Sequence, residues 1–127
     1  MTIDIPHFRQ LMGQLASGVS IITVRDSAGT DHGMTVSAFT SLSLSPPMVL
    51  VCVDRDATLA PALTEASHLG VSILAATQQH LSQRFAESRE DRFSGVEFRR
   101  GDSGVALMSG ALAQLETRIV AQYPGSD

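Results

Sequence analysis

The chain has 127 residues, enough for one domain that buries about two thirds of the surface exposed when it is unfolded. Hydrophobic residues make up 43% of it and charged residues 17%, which is typical of a compact globule and excludes a disordered chain. The net charge of −4 and the absence of lysine exclude a basic stripe for nucleic acid.

Neither a membrane span nor a secretory leader is expected. The longest apolar run, Met48 to Val53, is far shorter than a span, and no charged and then apolar leader opens the chain. The single cysteine, Cys52, lies within that run and is expected to be a small buried hydrophobe. We therefore expect a cytoplasmic protein without a membrane or nucleic-acid partner.

The first third of the chain predicts a helix and a β-hairpin. Asp4 and Pro6 are typical of a helix start, and the helix is expected to end at Ser17-Gly18. Its apolar face repeats at helical spacing: Phe8, Leu11, Met12 and Leu15. A β-branched strand follows over 19–24, and the polar turn 26–33 joins it to a second strand.

That second strand, "GMTVSAFTSLSLS", alternates between hydroxyl and apolar side chains. Because successive strand residues point to opposite faces, one face is nearly all hydroxyl: Thr35, Ser37, Ser41, Ser43 and Ser45. Two interpretations remain open from this pattern. One is an ordinary half-solvated strand, and the other is a wall of donors that faces a phosphate-bearing ligand.

The rest of the chain predicts further strands with short helices between them. Pro46-Pro47 interrupts pairing before "MVLVCVD", which is read as a strand buried on both sides. Thr58 is the expected cap of a helix that contains Pro61, and "VSILAA" is the expected central strand.

Thr77 is the expected cap of the next helix, with Leu81 and Phe85 facing inward. The segment 88–105 is irregular, and 111–123 is expected to be one long antiparallel strand.

Familiar catalytic and nucleotide-binding motifs are absent. The sequence contains no G-x-G-x-x-G, no phosphate-binding loop with its lysine and no G-x-S-x-G, and its four histidines show no metal spacing. The strand pattern favours a mainly β fold, an antiparallel barrel or sandwich with helical decorations. Reasoning from the residues alone ends at a β-barrel that binds a small ligand.

The order of four short motifs is more specific than any one of them. They are Gly33-Met34-Thr35, Ser37-x-x-x-Ser41, Ser45-Pro46-Pro47 and Arg84-Phe85-Ala86. In this order the chain resembles the flavin reductase-like, FMN-binding split-barrel family, from about Phe8 to Asp127. The resemblance implies an antiparallel, Greek-key split β-barrel and a single flavin reductase-like domain over 1–127.

The resemblance also implies a site and an activity. The flavin, FMN or FAD, would lie along the strand at 34–41, with the segment 52–58 as a second wall and Arg84 near its phosphate. The implied cofactor-binding residues are Thr35, Val36, Ser37, Ala38, Ser41, Cys52, Val53, Asp54, Arg55, Thr58, Arg84 and Phe85. No catalytic side chain is implied, because NADH or NADPH can pass a hydride to the flavin directly.

Members of this family are reductase components that supply reduced flavin to a separate monooxygenase, and they are homodimers. The family typically continues past this chain with a histidine and a further strand, so that Asp127 would be the remaining part of a nicotinamide-associated segment. The domain is therefore expected to be incomplete at its C-terminal end. The alternative is a flavin-binding module that does not turn over NAD(P)H. A weaker alternative is a related split barrel that binds another phosphorylated cofactor, such as pyridoxal phosphate, or a haem-related ligand.

Overall fold

The computed structural model describes residues 2–127 and is mainly β, with antiparallel sheets and a few short helices. Its helices are α1 (Ile5–Met12), α2 (Ala60–Glu65) and α3 (Gln79–Ala86), the last preceded by a 3₁₀ turn at Ala76–Gln78. Its strands are β1 (Ser20–Arg25), β2 (Asp31–Val36), β3 (Phe39–Leu44), β4 (Pro47–Val51), β5 (His68–Ile73), β6 (Phe98–Arg100), β7 (Ala106–Met108) and β8 (Ala113–Arg118).

The main sheet has four antiparallel strands in the order β2-β1-β5-β8. Ile22 of β1 lies opposite Met34 of β2 on one side and Val71 of β5 on the other. The predicted hairpin at 19–36 is therefore confirmed, and β5 is central as expected. The remaining strands form two hairpins, β3-β4 and β6-β7.

Both faces of the main sheet are covered. Neighbouring residues of β1 point to opposite faces, so that Ile21 and Ile22 belong to different cores although both are completely buried. The buried residues of the first core are Ile22, Val24, Val36, Leu59, Leu69 and Val71. Those of the second are Ile21, Leu74, Leu81, Phe85 and Met108, and α3 supplies two of them. The inward orientation predicted for α3 is confirmed.

The hydroxyl-rich segment is two strands and not one. β2 ends at Val36, and the chain bends at Ser37-Ala38 before β3 begins in a different sheet. The half-buried pattern holds in β2, where Val36 is buried. It fails in β3, whose Leu42 and Leu44 are exposed.

The prediction that "MVLVCVD" is buried on both sides is wrong, and so is the prediction of a buried cysteine. β4 is only half-buried, Leu50 is exposed, and Cys52 is exposed directly after the strand. The physical reason is that β4 pairs only with β3, and no second layer covers the outer face of this hairpin. Apolar composition alone cannot show whether such a covering layer exists.

The ends of several elements differ from the predictions. The Asp4 cap is confirmed, since its carboxylate accepts the His7 amide at 2.8 Å, but α1 ends at Met12 instead of near residue 17. Thr58 and Thr77 are not caps. α2 has Leu59 at its cap position, and Thr77 lies inside the 3₁₀ turn.

The later elements also differ in extent. The irregular segment 88–105 contains β6, and the last strand stops at Arg118.

Candidate functional site

The outer edge of β2 is available to other groups. Within residues 2–127, β2 pairs with β1 on one side only, so the backbone groups on its other side have no strand partner there. Two contacts mark this edge. The Gly33 carbonyl accepts Arg92 Nη1 at 2.7 Å, and Thr35 Oγ1 donates to the Ser82 carbonyl of α3 at 2.6 Å. The Thr35 hydroxyl is thus bonded to the protein, and its backbone is the part left to face a ligand.

The bend after β2 brings the second predicted wall next to the first. Ser37 and Ala38 are exposed there, and the Ala38 carbonyl accepts the Cys52 amide at 3.0 Å. Val53 is half-buried against the first core. The segment 52–58, which we call the wall segment, therefore begins beside the exposed end of β2.

The rest of the wall segment is a polar turn. Asp54 Oδ1 accepts the Asp56 amide at 2.8 Å, which orders the turn. The Arg55 amide donates to the main-chain oxygen of Asp127 at 2.9 Å, and its Nε donates to the Ser126 carbonyl at 2.5 Å. Asp127 therefore lies against the wall segment.

A third segment contacts the outer edge of β2. We call residues 87–94 the arginine loop, because Arg92 reaches out of it to both other segments. Besides the Gly33 carbonyl, Arg92 Nη1 lies 3.5 Å from Thr58 Oγ1, while its Nε donates to the Glu87 carbonyl at 2.9 Å. β2, the wall segment and the arginine loop thus meet at one guanidinium.

Arg84 shapes the arginine loop. It donates to the carbonyls of Arg92 at 2.6 Å and Asp91 at 2.9 Å, and also to that of Ser94. Most of its hydrogen-bonding capacity is used in holding the loop backbone.

Phe85 and Val36 present no side-chain surface to a ligand. Phe85 is completely buried and packs edge to face on Phe93, with ring centroids 5.0 Å apart, so its ring has no surface exposed to a ligand in this chain. Its role in flavin binding stays a prediction. Val36 is buried in the first core and lies opposite Ser20 of β1. Ser41 is exposed in β3, three residues beyond Ala38, or about 10 Å along an extended strand.

Three arginines near this edge donate to main-chain carbonyls instead of carboxylates. Among residues 2–127, Arg55, Arg84 and Arg92 have no carboxylate within 4 Å, whereas Arg89 pairs with Asp91 at 2.7 Å and also with Glu87. The Arg89 guanidinium lowers the pKa of the Asp91 carboxyl to about 2. Asp91 therefore stays ionised near neutral pH, but its charge is already matched by Arg89.

Arg92 was missed by the sequence interpretation. The sequence indicates only that 88–105 is irregular, and such a loop offers no periodicity from which the direction of a side chain could be predicted. Gly33 was recognised only as part of a motif. A Cβ at Gly33 would lie 2.9 Å from Phe85 Cε1 and 3.0 Å from Phe93 Cζ, so the position has no room for a side chain.

Two surface cavities lie outside the edge of β2. One, of about 490 Å³, is lined by His68, Asp102, Ser103, Glu116, Thr117 and Arg118 and contains none of the predicted site residues. The other, of about 340 Å³, includes Arg84 but otherwise lies between α3 and residues 95–97. A flat ligand that lies along a strand edge does not require a cavity within one chain. We therefore locate the candidate site by the contacts among β2, the wall segment and the arginine loop.

Two kinds of feature are absent from residues 2–127. These residues include no group of three or more histidine, cysteine, aspartate or glutamate side chains placed to hold a metal ion. No helix in this part of the chain has the length and apolar character that crossing a membrane requires.

Known proteins resemble the whole of this fold. Residues 12–127 match the model of the flavin reductase like domain. An NADH-dependent flavin reductase from a Rhodococcus species is 42% identical over 125 residues, covering 95% of this chain and 69% of the relative.

Solved structures give the same result. The NADH:FAD oxidoreductase of Streptomyces globisporus, in complex with NAD and FAD fragments, superposes with a TM-score of 0.91 and 38% identity over 100% of this chain and 78% of its own. Nitrilotriacetate monooxygenase component B from Mycobacterium thermoresistibile superposes with a TM-score of 0.91 and 34% identity, over 96% of this chain and 68% of that one.

Eight curated relatives that match this chain differ in length. This chain spans from 35% to 72% of their sequences. The match of the domain model to residues 12–127 nevertheless covers most of this chain. The chain therefore belongs to the flavin reductase-like domain family.

Proposed function

We propose that the protein is an NAD(P)H-dependent flavin oxidoreductase that binds FMN or FAD and supplies reduced flavin to a separate monooxygenase. The observation that carries this proposal is the outer edge of β2. Within residues 2–127 it has no strand partner, Arg92 contacts it, and the wall segment begins beside its exposed end. It is supported by relatives named as NADH-dependent flavin reductase and as a monooxygenase component.

The residues at this edge suit a flavin. The Thr35 backbone and the amides of Ser37 and Ala38 would face the polar edge of the ring, and the small side chains of Ser37 and Ala38 leave room for a flat ligand. The carbonyls of Ser37 and Ala38 already accept the amides of Phe39 and Cys52. When bound, the flavin supplies the hydride-accepting chemistry. The protein then has to hold the ring, leave one face open to the nicotinamide and exclude water, and no acid or base is required.

Three further statements belong to this proposal. Residues 1–127 act as one domain, and Asp127, which lies against Arg55, is on the nicotinamide side of the site. The protein works in the cytoplasm, where the exposed thiol of Cys52 would stay reduced.

Flavin binding tests the proposal directly. Titrating FMN, FAD and riboflavin with purified protein, while flavin fluorescence is recorded, should give saturable binding of at least one flavin. An absorbance spectrum of the protein as purified would show any flavin that remains bound. If none of the three flavins binds, the proposal is wrong.

Ser41→Ala should weaken flavin binding and leave the fold intact. The Ser41 side chain is exposed and makes no hydrogen bond within the described chain, so its removal disturbs no internal contact. The loss of one bond to a charged phosphate corresponds to about a 10- to 100-fold higher Kd. The flavin fluorescence titration measures this change in Kd. An unchanged Kd would return Ser41 to the interpretation of a solvated strand face.

We also propose a homodimer with two-fold symmetry. Every residue of α1 is exposed, including Phe8, Leu11 and Met12, and no buried residue belongs to this helix. Such an apolar face is stable only against another surface. The chain should sediment at twice 13.5 kDa, and Leu11→Glu should shift it toward the monomer. A monomer that still binds flavin at micromolar concentration would contradict this prediction.

A further inference from the structure

The strand at the outer edge of the main sheet rests on α3 at two points. At Gly33 there is no room for a side chain, because a Cβ there would lie 2.9 Å from Phe85 Cε1. Two residues further on, and on the same face of β2, Thr35 Oγ1 donates to the Ser82 carbonyl at 2.6 Å. A close packing contact and a hydrogen bond therefore fix the distance between β2 and α3.

The helix is a firm support for this hydrogen bond. Leu81 and Phe85, which lie close to Ser82 in α3, are both buried in the second core. The bond joins positions that are 47 residues apart in the sequence, and it is partly buried, where water competes less for the carbonyl. The Thr35 hydroxyl thus ties an edge strand to the packed part of the molecule.

The backbone of Thr35 points away from the sheet. In an antiparallel pair, alternate residues bond to the neighbouring strand, so residues two apart direct their N–H and C=O groups to the same side. The Gly33 carbonyl lies on the outer side of β2, where it accepts Arg92 Nη1. The Thr35 N–H and C=O therefore also lie on the outer side, next to the exposed bend at Ser37-Ala38. One residue thus contacts α3 through its side chain and faces a ligand through its backbone.

We propose that Thr35 is a positioning residue, whose hydroxyl bond to Ser82 holds the backbone edge of β2 where it meets the flavin ring. The hydroxyl itself does not contact the flavin. This inference rests on the proposed function. A hydrogen bond weakens steeply when its distance or angle leaves the favourable range, so a small shift of the edge lowers affinity. An edge that is held in place before the ligand arrives also loses little freedom on binding.

The test compares variants that keep the volume of Thr35 or its hydroxyl. Fluorescence titrations with FMN and with riboflavin would use the wild type, Thr35→Val and Thr35→Ser. Thr117→Val is the matched control, because Thr117 Oγ1 also donates to a main-chain carbonyl, that of Leu69, at 2.8 Å in a partly buried place. Thr117 belongs to β8, at the opposite edge of the main sheet.

We expect Thr35→Val to raise the Kd of each flavin about 3- to 10-fold, which corresponds to the loss of one hydrogen bond. FMN and riboflavin should be affected equally, because they share the ring and differ in the phosphate. Thr35→Ser keeps the donor and should restore both Kd values to within about twofold of the wild type. Thr117→Val should leave both Kd values within about twofold, because it lies far from the site, although urea denaturation should show a similar loss of stability in the two valine variants.

Unchanged Kd values in Thr35→Val would overturn the inference. An equal rise in Thr117→Val would overturn it too, because the effect would then follow stability alone. So would a rise for FMN only, which would place the hydroxyl at the phosphate, and so would a Thr35→Ser protein that binds as weakly as Thr35→Val.

Should Thr35→Val fail to fold, Thr35→Ala is compared with Thr117→Ala by the same criteria. The wild-type titration separates the two levels of the account. If wild-type protein binds neither flavin, the proposed function fails. If it binds flavin and the variants give one of the contrary results, this inference alone fails.

Discussion

Phe85→Ala should lower the free energy of unfolding by about 3–5 kcal/mol, because it deletes a completely buried ring from the second core. The ring lies beneath β2, and its loss also removes the edge-to-face contact with Phe93, whose neighbour is Arg92. We therefore expect flavin binding to weaken in proportion to the loss of structure. Urea denaturation followed by circular dichroism measures the stability.

The matched control for Phe85→Ala is Tyr123→Ala. Tyr123 is 85% exposed, so its truncation should change stability by less than about 0.5 kcal/mol. If the alanine variant does not fold, Phe85→Leu keeps most of the volume and should show a smaller loss. A Phe85 variant of normal stability that no longer binds flavin would contradict the assignment of this ring to the core.

Gly33→Ala should cost about 1–3 kcal/mol of stability, because the new methyl would overpack the site. Its Cβ would lie 2.9 Å from Phe85 Cε1 and 3.0 Å from Phe93 Cζ, and these two rings are packed on each other. The strand or the arginine loop must therefore move. Since Arg92 bonds the Gly33 carbonyl, the same shift should weaken FMN binding. Denaturation and flavin titration of one sample measure both effects.

Two further variants serve as controls for Gly33→Ala. Gly18→Ala should be neutral, since nothing lies within 4 Å of a Cβ at that position. Combining Gly33→Ala with Phe93→Leu makes room for the methyl and should recover part of the loss. A Gly33→Ala protein as stable as the wild type would show that β2 does not pack tightly on these rings.

Local patterns predicted the elements whose determinants are local. The Asp4 cap, the hairpin at 19–36 and the inward face of α3 depend on residues within a few positions of one another. The order of the motifs around Thr35 and Arg84 was enough to indicate the family that the domain match confirms.

Features that depend on what packs against an element could not be read in the same way. The apolar run "MVLVCVD" does not indicate that β3 is the one strand that pairs with it. For this reason the prediction that Cys52 is buried was wrong. The bend at Ser37-Ala38 is equally invisible in an alternation that continues through it. The position of Arg92 depends on its bond to the Gly33 carbonyl, which lies far away in the sequence, and on a loop that Arg84 holds, and no periodic pattern indicates either contact.

The most direct test of the account is NADH oxidation by this 127-residue chain, recorded at 340 nm with and without added FMN or FAD. We predict steady oxidation that requires flavin, saturates with its concentration and yields free reduced flavin. NADPH in place of NADH would show which nicotinamide is preferred. Saturable flavin binding without any NADH or NADPH oxidation would contradict the reductase function and leave a flavin-binding module.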